Sequence, residues 1–459
     1  MRLFVREKAF YRSFFSLTVV IALQNLIAFG VNLADNMMLG AYSELSLSGA
    51  AVSNQIQFLL QMFLGGTVAG MVVISSQYWG KKQIGPIKKI FAIALCLAVS
   101  VSVLLAAVCF TVPGRVLGLL TNEAGVIAEG SAYLRILCLS YGFFAVTTVL
   151  LGVFRAVETV KIGFWVSLSA LITNIILNYL LIFGKFGLPR LGIRGAAVAT
   201  LISRIIELVI VLCYAAFADK KLRLRLKNAV DFEKNYLKDY FKTGLPTVLS
   251  STSWGIAMAA QGAILGRLGA SAIAASSIAT TLFQIASIVA YGSASASNVV
   301  IGKAVGQGEL GRVKQYTKTL QILFLFIGAG TSIALFAGKV FVLRFYQISA
   351  ETMDLAGSFI AVLCVTVVGT SYQMASLTGI VSGGGDTKFV LYNDIVFMWC
   401  IVLPAAALSA FVFHLPVLFT FACLKSDQIL KCAVAVVKVN RYTWIRKLTR
   451  EPVAEPAEA

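Results

Sequence analysis

Apolar positions along the chain come in long runs separated by short polar stretches. Each run covers about 18–25 residues, enough to cross the ~30 Å hydrocarbon core of a bilayer as a helix. They predict twelve spans, at 14–40, 47–74, 89–112, 132–154, 160–184, 195–217, 244–268, 272–300, 317–343, 355–381, 389–413 and 415–437. Ten-residue segments of alternating polarity, the mark of a membrane β-barrel, are absent. The fold class expected is therefore all-α, a polytopic membrane protein of about 12 transmembrane helices. Lys425, Asp427 and Lys431 interrupt the last run, so its second half is expected either to span or to lie at the interface.

Composition agrees, with 59% hydrophobic and 13% charged residues, close to half the charged share of a soluble domain. The net charge of +19 does not point to nucleic acid, because the basic residues sit between the apolar runs and form no groove-reading stripe. With twelve spans, roughly 30 of the Lys and Arg fall on one side, as the positive-inside rule requires. That side holds Lys81, Lys82, Lys88, Lys89, the run from Lys220 to Lys242, Arg312, Lys314, Lys318 and both termini. The expected location is a bacterial cytoplasmic (inner) membrane with both termini cytoplasmic. The first run, opened by Arg2, Arg6, Lys8 and Arg12, is too long for a signal peptide and is expected to stay as a span. The eight cysteines are scattered singly and His414 is the only histidine, so a disulfide framework, a zinc site and a multi-imidazole mechanism are not indicated.

The polar stretch at 219–242 divides the runs six and six. The expected organisation is an N-terminal six-helix bundle at 1–218, a basic cytoplasmic linker at 219–242, a C-terminal six-helix bundle at 243–440, and a cytoplasmic tail at 441–459 with a disordered end. The halves resemble each other at a shift of about 226 residues: LGAYSELSLSGAAVSNQ from Leu39 matches LGRLGASAIAASSIATT from Leu265, and GKKQIGPIKK from Gly80 matches GQGELGRVKQ from Gly306. Two like halves around a central cavity are a transporter architecture.

Polar groups at membrane depth are costly unless they face a partner or a water-filled cavity, so the few present carry information. Asp35 lies in the first run with Asn32 three residues before it. Asn174 and Asn178 stand at i and i+4 in the fifth, which puts both amides on one side of that helix. Asp35, Asn174 and Asn178 together suit a small cation, through carboxylate and amide oxygens. In the second half Gln261 takes the place that the repeat assigns to Asp35. Gln284, Gln373 and Asp394 add polar groups, and Trp254 and Tyr291 offer rings for a delocalised cation. These seven, counting Asn32, are the candidates for a substrate cavity.

The stretch NIILNYLLIFGKFGLPRLGIRGAAVAT, the loop GIVSGGGDTKF, ADNMMLG in the first span and LKSDQILKC near the end resemble the multidrug and toxic compound extrusion (MATE) family of bacterial exporters. The resemblance covers essentially the whole chain. It implies two six-helix bundles, a cavity opening alternately to either side, and antiport of organic, often cationic compounds against Na+ or H+. It implies no cofactor, no enzymatic activity, small organic cations and the lipid bilayer as partners, and a monomer. Asp35 matches the family's first-span carboxylate, and Asn174 with Asn178 matches the Asn-x3-Asn form of its fifth-span pair. The acids that some sodium-coupled members carry in spans seven and ten are missing, with Trp254 and Ser371 near those places. The alternative reading is a flippase for lipid-linked saccharides of the same superfamily, which would call for cationic groups in the cavity.

Overall fold

A computed structural model of the protein describes residues 4–225, 228, 232–343 and 349–450. Eleven helices among them are long and apolar enough to cross a membrane. They are α1 (Lys8–Tyr42), α2 (Glu44–Gly80), α3 (Ile84–Thr111), α4 (Ala124–Ala156), α5 (Lys161–Phe183), α6 (Ile193–Ala218), α7 (Lys234–Gly266), α8 (Ser271–Gly306), α9 (Leu310–Leu343), α10 (Ala350–Val381) and α11 (Thr387–Val412). Sharp turns separate them for local reasons. Ser43 ends α1 in extended backbone and caps α2, accepting from the Ser46 N–H. Gly184 ends α5 in the left-handed conformation that a side chain would strain.

The twelfth predicted span is made in two pieces, α12 (Val417–Lys425) and α13 (Asp427–Arg441), broken at Ser426. The Ser426 N–H turns back only three residues, to the Cys423 carbonyl, which tightens the chain there. The break lets charged residues on both sides of it turn into the C-terminal half, away from lipid. Lys425 lies over the rings of Phe283 and Phe421, while Asp427 and Lys431 are buried.

The seventh helix starts at Lys234, ten residues before its apolar run, so it takes in the last part of the basic stretch. Lys234, Lys238 and Lys242 recur at i+4, while Tyr240 is buried. A lysine face disguises such turns from any hydropathy average. The tail likewise divides: residues through Arg450 are ordered on the body of the protein, and 451–459 lie outside the described residues.

The repeated halves are α1–α6 and α7–α13. One apolar core runs through the first half and crosses into α8 (Ala294 to Val305), α9 (Val313, Leu320, Phe324), the end of α10 (Tyr372 to Val381), α13 and Trp444, while a second lies in the other half around Leu265, Ile278, Phe359 and Phe421. The halves meet where α2 packs on α7 and α8, and α1 on α8. Small residues set the distance of approach. A Cβ on Gly70 would fall 2.4 Å from the Gly244 Cα, and one on Gly306 would fall 2.0 Å from the Gln77 carbonyl oxygen. Tyr240 donates to the Thr67 carbonyl at 2.9 Å, and Thr247 to the Gly66 carbonyl at 2.8 Å. These crossings lie toward the end that carries Lys81, Lys82, Arg312 and Lys314, here called the basic end.

Candidate functional site

Asp35 sits about two turns from the far end of α1, 8% exposed. Asn178 of α5, wholly buried, donates through Nδ2 to Asp35 Oδ1 and also lies 3.0 Å from Asn174 Oδ1. Asn174 in turn donates to Thr200 Oγ1 of α6 at 3.4 Å. The i,i+4 spacing read from the sequence thus delivers both amides to the carboxylate of a neighbouring helix. Asn178 Oδ1 is buried without a hydrogen-bond partner. A buried carbonyl oxygen beside a carboxylate is an acceptor-rich spot, and a small cation satisfies such a spot.

Two residues near this group had no separate signal in the sequence. Tyr133 of α4, 2% exposed, stands beside Thr200 and Asn54 within electrostatic reach of Asp35. Thr200 lies in a small-residue motif that reads as helix packing. Arg204 pairs with Glu207 at 2.8 Å on the same helix and stacks over Phe144. Its charge is therefore already matched.

Asn32, one turn before Asp35, is exposed and points away from this network. Asp35 and Leu39 are buried on α1, and Asn32 is not, although the helical period puts it close to their face. Gln284 and Tyr291 are also exposed, and Trp254 is half-buried against the second core.

The second half repeats the geometry of the first with different chemistry. Gln261 of α7 is 4% exposed and reaches α11, as Asp35 of α1 reaches α5, but its contact is with Met398 Sδ at 3.3 Å. Lys425 Nζ approaches Gln261 Oε1 at 3.5 Å. Asp394 accepts from Ser250 and pairs with Lys431 Nζ at 2.9 Å, and Asp427 stands 3.7 Å from the same ammonium. Gln373 donates to Gln428 at 3.0 Å, and Gln428 to Asp427 at 2.8 Å. Every acid of this group has a fixed lysine beside it, unlike Asp35. Between α7 and α11 runs an open, apolar groove of about 430 Å³ lined by Ala260, Ile264, Arg267, Trp399, Leu403 and Phe411. No group of three or more His, Cys, Asp or Glu among the described residues is arranged to hold a metal ion.

Comparison with known proteins agrees with this architecture. The MatE family model matches residues 21–180 and 246–408, the body of each half. The probable multidrug resistance protein NorM of Thermotoga maritima is 26% identical over 443 residues, covering 94% of this chain and 93% of its own. An uncharacterized transporter of Bacillus subtilis, YisQ, is 24% identical over 400 residues, covering 86% and 87%. Among solved structures, a mutant of the Vibrio cholerae MATE transporter VcmN shares the fold with a TM-score of 0.86 at 16% identity, over 96% of this chain and 98% of its own. A MOP superfamily transporter from Pyrococcus furiosus gives 0.83 at 18% identity, over 94% and 95%. With a family model spanning most of both halves, a repeated twelve-crossing helical fold and relatives matched over nearly their full length, this chain belongs to the MATE family of multi-pass membrane transporters.

Proposed function

We propose that the protein is a secondary antiporter that exports organic, often cationic compounds in exchange for Na+ or H+, with Asp35, Asn178 and Asn174 as the coupling site. The observation that carries this reading is the buried Asp35 carboxylate, bonded to Asn178, beside an Asn178 oxygen with no partner. A proton or a sodium ion neutralises such a group at low cost, and Arg204, the cation within electrostatic reach, is paired with Glu207. The positive-inside rule makes the basic end cytoplasmic, which puts both described termini on that side of a cytoplasmic membrane. The halves are then shut toward the cytoplasm, and Asp35 and Gln261 lie in the outer part of their helices.

Exchange requires ion and drug to favour different states of the carrier, or to exclude each other, by a real free-energy difference. The apolar groove and Trp399 suit the hydrophobic body of an amphipathic compound. Lipid-linked saccharide phosphates would need unmatched cations, and Arg204 is committed to Glu207. The names of the NorM relatives, probable multidrug resistance proteins, support the drug-export reading. One chain carries both halves of the cycle, so a monomer is sufficient.

The test is efflux of a fluorescent organic cation from vesicles under a sodium gradient and a pH gradient imposed separately, with Asp35→Asn in parallel. Gradient-driven efflux that disappears in folded Asp35→Asn supports the proposal and identifies the ion. Undiminished efflux in that variant removes Asp35 from the mechanism.

A further inference from the structure

After α13 the chain turns at Tyr442, in the left-handed conformation (φ +56°), and runs without helix or strand to Arg450 across the basic end. It is anchored first to its own half. The Trp444 side chain is wholly buried and lies so close to Gly384 that a Cβ there would fall 2.1 Å from the indole. The Arg446 N–H donates to the Gly384 carbonyl at 2.8 Å, and its guanidinium meets Asp386 at 2.9 Å, where Lys438 also lies at 2.9 Å.

The same segment then reaches the other half. Gln77 of α2, wholly buried, donates through Nε2 to the Arg446 carbonyl at 3.1 Å and accepts from the Leu448 N–H at Oε1, 2.9 Å away. One carboxamide thus satisfies two backbone groups two residues apart on one edge of the segment, as an adjacent β-strand would. The Arg450 N–H donates to the Tyr78 hydroxyl at 3.0 Å, while its guanidinium turns back to its own half and forks onto Asp239 of α7 at 2.6 and 3.1 Å. Gln77 is also the residue against which Gly306 of α8 packs, so its seat is complete only while the two halves are together.

We propose that residues 442–450 are a strap that fastens the basic end shut, and that it releases Gln77 and Tyr78 each time the halves part there. The proposal rests on the alternating-access reading above. Release occurs on the α2 side because that hold consists of hydrogen bonds, which water replaces at small net cost. The hold on the other side includes a buried indole, which water does not replace.

The test reads the separation of the halves directly. Spin labels are placed at Lys161→Cys and Leu310→Cys, both exposed at the basic end of opposite halves, with exposed Cys96, Cys213 and Cys400 replaced by Ala. Distance distributions in nanodiscs are compared for the labelled parent, Leu448→Pro and a chain ending at Ile445. Leu448→Pro removes the N–H that Gln77 accepts, at a position outside any helix. The expected result is a longer-distance population whose weight relative to the closed one rises roughly fivefold for each hydrogen bond lost. An unchanged distribution in folded Leu448→Pro and in the truncated chain overturns the strap; if truncation prevents folding, Leu448→Pro decides alone. The distances do not depend on what is transported, so a failure of the antiport reading and a failure of the strap register separately.

Discussion

Lys303 of α8 donates to Glu158 Oε2 at 2.6 Å, from one half of the protein to the α4–α5 turn of the other. Glu158 sits at positive φ and also accepts from Ser13 of α1 at 3.0 Å and Trp79 of α2 at 3.3 Å. One turn residue therefore ties α1, α2 and α8 together at the basic end. Lys303→Met and Glu158→Gln are each expected to weaken closure of that end by about 0.5–1 kcal/mol, the range for a partly solvated pair. Distance measurements between the halves should show the same small shift for both, and no further shift when they are combined.

The pH dependence of that pair has a definite sign. Burial pushes the Glu158 carboxyl up, but the hydrogen bond and charge of Lys303, with Trp79 and Ser13, hold it below its ordinary value of 4.5. A depressed carboxyl contributes fully above its ordinary value, and the contribution is lost as pH falls through the depressed one. The stability difference between the protein and Glu158→Gln should be flat from neutral pH down to about that ordinary value and shrink only in stronger acid. A difference that changed across the neutral range would contradict this assignment.

Asn178→Ala removes both the donor to Asp35 and the unpartnered oxygen. Loss of an amide ligand is expected to weaken ion binding by roughly tenfold or more. The check is thermal stability titrated with sodium and with pH, where the variant should need a higher concentration of the coupling ion for the same protection. Asn32→Ala, at an exposed position one turn away, should leave the titration unchanged.

In the second half, Lys431 stands between Asp394 and Asp427 with little access to water. Lys431→Met leaves the buried Asp427 and the half-buried Asp394 without their partner and should cost about 3 kcal/mol, the low end for a buried pair. Adding Asp427→Leu should recover part of that loss, because the uncompensated charge goes with it. Thermal unfolding of the single and double variants in detergent decides the point.

Gly306→Ala puts a methyl carbon against the Gln77 carbonyl, at a place where helix backbones face each other and neither yields readily. The expected outcome is a protein that folds but closes poorly at the basic end. A cysteine in place of buried Ser76 should then react faster with an impermeant maleimide added from that side.

The number and order of spans were legible because lipid demands uniformly apolar helices of fixed length. The Asp35–Asn178 contact was legible because i,i+4 spacing fixes a shared face, and few polar residues compete within a span. Burial was harder to read. Helix α1 is apolar around most of its circumference, so nothing in its pattern distinguishes the buried Asp35 from the exposed Asn32. The start of α7 was hidden by its lysine face, whereas Lys425, Asp427 and Lys431 marked the interruption of the last run, at which the helix breaks. The strap could not be foreseen, since its contacts are made by backbone groups of residues 446–450 with a glutamine more than 360 positions earlier.

The two halves share a geometry in which a residue of the first helix reaches the fifth, but one places a carboxylate there and the other an amide. The acids of the second half, Asp394 and Asp427, are both tied to Lys431. On the proposed antiport, Asp35 is then the berth offered to the coupling ion. If one monovalent ion enters for each monovalent cation that leaves, no net charge crosses the bilayer. The membrane potential, worth about 2.3 kcal/mol per charge at 100 mV, then does no work on the cycle. Such an exporter is driven by concentration alone, and a neutral or doubly charged substrate would make the same cycle electrogenic.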